Sequence, residues 1–211
     1  HRGVLFLDEM PEFSRRSLEI LRQPLEDKVI RISRVYGTYD FPADFMLCAA
    51  MNPCPCGHYP DMNRCRCTPA QVMQYLGRIS QPLLDRLDLC AEVSPVDFEG
   101  LSSGRKGEST QTIRERVICA QDIQRERYKI EGIQFNGELS GAQIEKYCKM
   151  EKDARQLLKM AFQNMPFSAR AYHRILKVAR TIADMEATES IHRHHIAEAL
   201  SYRAFDKKYW N

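Results

Sequence analysis

The sequence has 211 residues, 44% of them hydrophobic and 28% charged, and its 31 basic and 28 acidic side chains leave a net charge of +3. This composition excludes a disordered tail, a collagen-like fibre and a coiled coil, and no apolar run approaches the ~18 residues that a membrane-spanning helix needs. The small net charge does not by itself indicate a nucleic-acid-binding protein. Four of the eight cysteines lie within fourteen positions, which favours a metal site over a disulfide scaffold.

The first part of the chain predicts an α/β arrangement. Three apolar runs are typical of buried strands, and they cover residues 3–7, 45–51 and 87–93. A helix is predicted over residues 14–27, with a kink or an end at Pro24. A hairpin is predicted from residues 29–34 and 38–41, around a turn at Gly37.

The second part of the chain predicts helices alone. Five helices are expected, over residues 110–128, 140–149, 151–164, 168–186 and 191–205. In the fourth, the apolar residues share one side, and Arg170, Arg174 and Lys177 lie on the other. Glycine and serine are frequent between the two parts, which is typical of a linker. The predicted domains are an α/β core, a linker and an all-helical domain, over residues 1–99, 100–109 and 110–211.

Polar residues follow the first two predicted strands directly. Asp8 and Glu9 end the first strand, and in nucleotide hydrolases such an aspartate helps to hold Mg²⁺ while a neighbouring glutamate polarises the attacking water. An ordinary strand end has the same pattern. Asn52 ends the second strand, where its amide can orient a water against a phosphate, although asparagine before proline is also a common turn former.

Two arginines have both a simple and a functional interpretation. Arg86 lies between Asp85 and Asp88, and an arginine among acids usually forms local ion pairs. Arg170 equally fits a solvated basic face of its helix.

Taken together, in this order and spacing, these motifs resemble AAA+ ATPases of the magnesium-chelatase-like group, most closely the bacterial ComM-type competence proteins. Four segments spread over essentially the whole chain carry the resemblance: residues 3–9 (GVLFLDE), 49–57 (AAMNPCPCG), 83–89 (LLDRLDL) and 167–184 (FSARAYHRILKVARTIAD). The resemblance implies a P-loop AAA+ core, with a partial parallel sheet and a hairpin insertion, followed by a helical lid.

The resemblance also implies roles for five residues. Asp8 and Glu9 match the Walker B pair, which coordinates magnesium through water and activates the hydrolytic water. Asn52 matches sensor 1, which positions that water. Arg86 matches the arginine finger, offered to the nucleotide of a neighbouring subunit and worth ~10³–10⁵ in rate in related hydrolases. Arg170 matches sensor 2, which reaches from the lid towards the γ-phosphate.

One departure from the family pattern is large. The 211 residues contain no Gly-x-x-x-x-Gly-Lys-Ser/Thr loop, the Walker A loop that holds the β- and γ-phosphates. That loop normally precedes Walker B, so we expect the sequence to be the truncated, C-terminal part of a longer protein. We expect the 211 residues alone neither to bind ATP tightly nor to hydrolyse it.

A cysteine-rich loop over residues 53–68 contains two C-x-C pairs. Its cysteines are Cys54, Cys56, Cys65 and Cys67. Four thiolates could close a tetrahedral structural Zn²⁺ site, although C-x-C is a less usual spacing than C-x₂-C, and His58 could replace one thiol. Free thiols and disulfides are the alternatives. His192, His194 and His195 are predicted to be ordinary surface residues, because their spacing never places two rings on one helical face at i, i+4.

The predicted hairpin carries Arg31 and Arg34. In ring-shaped family members the corresponding hairpin points into the central pore and touches DNA, whereas a charged edge hairpin can also simply prevent aggregation. The resemblance implies a cytoplasmic, ATP- and Mg²⁺-dependent ring motor, expected to be a hexamer. Its partners would be further copies of itself and DNA, as in branch migration during recombination and natural transformation, with no membrane. The alternatives are a chelatase motor subunit that inserts metal into a porphyrin, and a zinc-stabilised interaction domain without enzymatic activity.

Overall fold

The chain forms two compact units, which are described here separately. The computed structural model describes residues 1–93, 98, 102, 107–164 and 167–203. The first unit comprises His1–Leu87, and the second begins at Asp88. Most of the predicted linker, residues 100–109, lies outside the described residues, as do the last two residues of the predicted helix 191–205.

Unit 1 combines two parallel strands, a hairpin and short helices. Its elements in chain order are β1 (Val4–Leu7), a 3-10 helix (Met10–Glu12), α1 (Arg15–Ile20), α2 (Arg22–Asp27), β2 (Val29–Arg34), β3 (Gly37–Pro42), β4 (Met46–Ala49), α3 (Pro69–Leu76) and α4 (Gln81–Leu84). β1 and β4 pair in parallel, and β2 and β3 form a separate antiparallel hairpin. The first two strands and the hairpin predicted from the sequence are confirmed.

The predicted helix over residues 14–27 is divided into α1 and α2. Ser14 caps α1, since its hydroxyl accepts a hydrogen bond from the backbone N–H of Ser17 at 3.1 Å. Pro24 lies inside α2, where its ring removes the backbone donor that a continuous helix would need. Lys28 then ends α2 in the left-handed conformation, with φ of 57°. The predicted helix is therefore interrupted, but at Leu21, about one turn before Pro24, rather than at Pro24 itself.

Two expectations for the predicted strands are wrong. The apolar run predicts β1 to be buried on both faces, but Val4 and Phe6 are 66% and 57% exposed, and only the alternate positions pack on the core. Within the described residues no helix covers the other face. Residues 87–93 form no strand. Their backbone bonds elsewhere: the N–H of Cys90 donates to the carbonyl of Tyr202 at 3.1 Å.

Unit 2 is a helical bundle around one central helix. Its elements are α5 (Thr110–Arg127), a 3-10 helix (Asn136–Glu138), α6 (Gly141–Tyr147), α7 (Lys152–Asn164), α8 (Ala169–Met185) and α9 (Arg193–Ser201). α8 packs against α5, α6 and α9 and contributes Ile175, Leu176, Ala179 and Ala183 to the buried core. The five predicted helices and the α/β-then-helical fold class are confirmed. None of the described helices is long and apolar enough to cross a membrane.

A buried polar network joins α8 to α5. Arg180 is fully buried, and its Nε donates to Asp184 at 3.1 Å while its two terminal nitrogens donate to backbone carbonyls of the loop after α8. Arg127, at the end of α5, donates to both Asp184 oxygens at 2.9 and 2.5 Å. Asn136 donates to the same carboxylate at 2.8 Å. Two guanidinium groups thus share one buried carboxylate, and the remaining donors of Arg180 bind backbone carbonyls.

Candidate nucleotide and metal sites

Three residues predicted to act on nucleotide lie at one edge of unit 1. β1 and β4 are parallel and in register, with Leu7 opposite Ala49, so they end together. The backbone of Ala50 holds the two ends in place, since its N–H donates to Leu7 at 2.9 Å and its carbonyl accepts from Met10 at 3.0 Å. The residues that follow the strands at this edge are exposed, and we call them the strand-end group: Asp8, Glu9 and Asn52.

Glu9 has a strained backbone. Its φ and ψ are 49° and 48°, the left-handed region, which costs a residue with a Cβ ~1–2 kcal/mol. The carboxylate of Asp8 accepts a hydrogen bond from the N–H of Glu9 at 3.1 Å and so supports this conformation. The chain turns sharply here, from β1 into the 3-10 helix, and leaves Glu9 at the surface. Strain of this kind is frequent at functional sites.

Tyr75 belongs to the same region, and sequence reasoning missed it. This residue of α3 is 6% exposed. Burial raises the pKa of its hydroxyl, the carboxylates of Glu12 and Glu9 raise it further, and a hydrogen bond from the backbone of Asn52 acts in the opposite direction. The hydroxyl therefore stays protonated beside the strand-end group. The capping box at Thr68 predicts the helix, but nothing in the sequence shows which residue of that helix faces the strand ends.

Arg86 is held by its own unit. One terminal nitrogen pairs with the carboxylate of Glu26 on α2, and the other donates to the carbonyl of Pro82 at 2.6 Å. The sequence suggests a local ion pair with Asp85 or Asp88, and this is wrong: the acid that pairs with Arg86 is Glu26, sixty residues away. Asp88 pairs instead with Arg174.

Arg170 is exposed in the first turn of α8, at the surface of unit 2. The other two basic residues on this side of the helix are engaged within the unit. Arg174 pairs with Asp88, and Lys177 donates to the carbonyl of Gly137 at 2.8 Å. The basic side of α8 is thus more than a solvated face.

The hairpin has two chemically different faces. On one face Arg31 lies opposite Asp40 and forms two hydrogen bonds with it, at 2.8 and 2.9 Å. This pair lowers the pKa of Asp40 and raises that of Arg31. The opposite face is apolar and exposed, and it carries the cross-strand pairs Ile30–Phe41 and Ile32–Tyr39. Arg31 is therefore neutralised on the polar face.

Arg34 lies on the apolar face of the hairpin, next to the turn. Arg34 is an odd number of residues from Arg31 and therefore points to the other side of the strand. Its guanidinium makes no ion pair with the residues that the structure describes. Tyr36 at the turn is 96% exposed, and the ring of Tyr39 lies against Gly37. The two arginines predicted as DNA contacts thus lie on opposite faces, and Arg34 shares its face with Tyr39.

The four cysteines of the loop converge on one point. The Sγ–Sγ distances are 3.4 Å for Cys54–Cys56, 3.6 Å for Cys56–Cys65 and 3.8 Å for Cys54–Cys65. The Sγ of Cys67 lies within 4.8 Å of all three. Four sulfurs at ~2.3 Å from a tetrahedral zinc ion stand ~3.8 Å from one another, so the spacing fits Zn²⁺.

The electrostatics of the cluster also favour a cation. Backbone N–H groups of His58 and Arg66 lower the pKa of Cys56 to about 6. Burial and the neighbouring sulfurs raise the pKa of Cys67 to about 12. Four thiolates this close repel one another unless a positive ion lies between them. The donor set is therefore chemically suited to a structural zinc ion.

A second group of potential ligands consists of Glu186, His194 and His195. His195 is fully buried, so its prediction as a surface residue is wrong. Its Nδ1 accepts a hydrogen bond from the backbone N–H of His192 at 3.0 Å, which leaves the proton on Nε2. That Nε2 lies 3.0 Å from the Glu186 carboxylate and donates to it. His195 therefore caps α9, and its protonated Nε2 is not available to a metal.

Comparison with known proteins identifies relatives along nearly the whole chain. The family model described as magnesium chelatase, subunit ChlI, matches residues 1–101, and that of the ChlI C-terminal part matches residues 107–203. The uncharacterized protein YifB of Salmonella typhimurium is 47% identical over 209 residues, and YifB of Escherichia coli is 44% identical over 209 residues; each alignment covers 98% of this chain. The competence protein ComM of Haemophilus influenzae is 47% identical over 203 residues, or 96% of this chain. The chain spans about 40% of the length of these relatives.

Proposed function

Because the chain belongs to the magnesium-chelatase-like family and is similar to its ComM-type members, we propose that it is part of an ATP-hydrolysing AAA+ ring motor that acts on DNA. The observation that carries the proposal is the common edge at which β1 and β4 end. Two carboxylates and one amide follow the strands at this edge, and nucleotide hydrolases use side chains of these types there. ComM of Haemophilus influenzae is named a competence protein, and this supports a role in natural transformation.

Each member of the strand-end group has a separate chemical task in this proposal. Asp8 would hold Mg²⁺, which would supply positive charge to the phosphates of ATP. Glu9 orients the attacking water and accepts its proton. Asn52 holds that water from the second strand. Arg86 approaches the nucleotide of a neighbouring copy, and Arg170 of the helical unit acts on the γ-phosphate.

The hairpin supplies the contact with DNA. An exposed arginine beside exposed aromatic rings offers one group for a phosphate and others for stacking on bases. Arg34 and Tyr39 lie on one face of the hairpin, and Tyr36 is exposed at the turn between the two strands. Arg31 has a structural role instead, because Asp40 neutralises it. Branch migration during recombination and natural transformation is the activity that we propose for the whole protein.

The test is the ATPase activity of the purified full-length protein with and without DNA. We expect DNA to stimulate hydrolysis and Glu9→Gln to abolish it while the protein stays folded. ATP turnover that ignores DNA but drives metal insertion into a porphyrin would instead identify a chelatase subunit. Absence of turnover in folded protein would identify a non-enzymatic interaction domain.

For the cysteine loop we propose a structural Zn²⁺ ion, held by the thiolates of Cys54, Cys56, Cys65 and Cys67. The loop follows Asn52 directly and leads into α3, which carries Tyr75. A metal ion held by these four thiolates would fix the connection between Asn52 and α3, two parts of the candidate nucleotide site. Metal analysis of protein purified anaerobically from zinc-replete medium tests this, with about one equivalent expected for a four-thiolate site.

A further inference from the structure

We propose that Glu26 is a positioning residue for Arg86. The inference rests on the proposed function, in which Arg86 engages the nucleotide of a neighbouring copy. Glu26 on α2 and Arg86 after α4 meet within unit 1, although sixty positions separate them in sequence. Glu26 thereby determines how readily the arginine leaves its own subunit.

The contacts of Arg86 place its guanidinium against its own unit. Its side chain is 8% exposed, whereas that of Glu26 is 41% exposed. Besides the pair with Glu26, the guanidinium donates to the carbonyl of Pro82 at 2.6 Å. A guanidinium bound in this way has most of its donors facing inwards. It cannot contact a phosphate on another copy until the pair with Glu26 opens.

The guanidinium of Arg86 is not fully hydrogen-bonded in this position. The Nε of Arg86 is buried and has no hydrogen-bond partner in the described part of the chain. A buried donor without a partner carries a free-energy cost, because its hydrogen bond to water is lost and not replaced. Phosphate oxygens carry more negative charge than a carboxylate and match the planar fork of arginine donors. A nucleotide phosphate in trans can therefore displace Glu26.

We expect the exchange to move the Arg86 side chain rather than α4, because the start of α4 is tied to α1. Ser80, which precedes α4, donates to the carboxylate of Glu19 on α1. Arg22 binds the other oxygen of the same carboxylate at 2.7 Å. These contacts tie the start of α4 to α1. Arg86 thus swings between a carboxylate in cis and a phosphate in trans, and the charge of Glu26 sets the balance.

The experiment measures nucleotide-dependent association of the full-length protein in the Glu9→Gln background, where ATP is bound without turnover. Sedimentation gives the protein concentration at which half of the subunits are assembled. Glu26→Gln keeps an oxygen acceptor but removes the charge, so we expect this midpoint to fall about two- to tenfold. Asp27→Asn, a change of the same kind at the next residue, is the matched control and should leave it unchanged.

The variant Arg86→Ala tests whether Glu26 influences association through Arg86. We expect it to raise the association midpoint, and the double variant Glu26→Gln/Arg86→Ala should match it, because Glu26 acts only through Arg86. With Glu9 restored, Glu26→Gln should raise kcat for ATP and leave KM nearly unchanged, since the finger acts on the transition state. A merely structural role for Glu26 would not produce this separation.

Several outcomes overturn the inference. A normal Arg86→Ala effect with an unchanged or higher midpoint for Glu26→Gln would remove the positioning role and leave the proposed function standing. An Arg86→Ala variant that assembles and hydrolyses ATP normally would remove the finger itself, and the inference with it. Should Glu26→Gln not fold, Glu26→Asp takes its place, because its shorter side chain loosens the contact. If the association midpoint of Glu26→Asp did not fall either, the inference would also be overturned.

Discussion

Asp184 and Arg127 form a bidentate ion pair inside the helical unit. Both carboxylate oxygens accept hydrogen bonds from the guanidinium, at 2.9 and 2.5 Å. Arg180 shares the same carboxylate from within α8. The side chain of Asp184 is fully buried, so removing its charge would leave two guanidinium groups without their partner. Removing one partner of this pair should therefore lower the free energy of unfolding strongly, whatever the net contribution of the intact pair to folding.

Asp184→Ala is accordingly expected to lower the free energy of unfolding by about 3–5 kcal/mol. Urea denaturation of the chain, followed by circular dichroism, measures the change. Asp122→Ala is the control. Asp122 pairs with Arg125 at 2.7 Å on an exposed surface, where such pairs contribute about 0–1 kcal/mol. Equal losses for the two variants would contradict the burial argument.

The stability of unit 2 should depend on pH through Glu131. Hydrogen bonds from Lys146, Tyr147 and Gln143 lower the pKa of Glu131 to about 2, from an ordinary value of 4.5. Because the folded pKa is the lower one, the stabilising effect is present above pH 4.5 and is lost as the pH falls towards 2. Glu131→Gln should therefore be less stable than the unmodified chain at pH 7, with a difference that shrinks between about pH 5 and pH 2.

Urea midpoints at a series of pH values test this expectation for Glu131. Glu145→Gln, an exposed carboxylate on α6, is the matched control and should show no such trend. A difference for Glu131→Gln that stays constant from about pH 7 to pH 2 would mean that the loss is steric rather than electrostatic.

Because the backbone of Glu9 is left-handed, we expect substitution by glycine to raise stability while it abolishes activity. Glu9→Gly should relieve the left-handed strain and raise the free energy of unfolding by up to ~1 kcal/mol, the strain released less the greater flexibility of unfolded glycine. The same change should abolish ATP hydrolysis by the full-length protein. Glu9→Ala removes the carboxylate but keeps the Cβ, so it should be inactive without being stabilised. Equal stabilities for Gly and Ala would refute the strain argument.

Salt dependence distinguishes the two hairpin arginines. Arg34→Ala in the full-length protein should weaken DNA binding and reduce the slope of log affinity against log salt concentration by about 1 for each phosphate that the protein no longer neutralises. Arg31→Ala, the control, should leave the slope unchanged. Tyr36→Ala should weaken binding to single strands by about 1–3 kcal/mol per stacked base, with the slope preserved. Fluorescence anisotropy at several salt concentrations measures all three, and a larger slope change for Arg31→Ala would reverse the assignment of the faces.

The thiols of the cysteine loop should be needed for metal. Cys54→Ser is expected to reduce bound zinc from about one equivalent to a small fraction of it, because a structural zinc site needs all four ligands. The exposed Cys119 supplies the control, and Cys119→Ser should retain the metal. Equal zinc content in the two variants, measured by mass spectrometry, would rule out the four-thiolate site.

The sequence predicts the parts of the site that depend on local pattern. Asp8, Glu9 and Asn52 could be placed at one edge because each follows an apolar run closely, and parallel strands end on the same side. The two faces of the hairpin follow from the alternation of side chains along a strand. The four sulfurs converge because their short spacing leaves few other arrangements.

Interactions between distant segments could not be predicted in this way. Nothing near Arg86 in the sequence indicates Glu26, since the folding of unit 1 decides that pair. The strand expected over residues 87–93 fails because hydrophobicity alone does not show whether an apolar segment finds a sheet partner. The prediction for His195 fails because capping, rather than helical periodicity, determines its burial.

The Arg31–Asp40 pair affects the register of β2 against β3 more than the stability of the hairpin. On an exposed surface it contributes about 0–1 kcal/mol. A slip of one residue between β2 and β3, however, would carry every side chain of the moving strand to the other face. Arg31 would lose its partner, and Ser33 would lose its hydrogen bond to Thr38. These two polar interactions thus favour the observed register, in which Arg34 and Tyr39 share one exposed face.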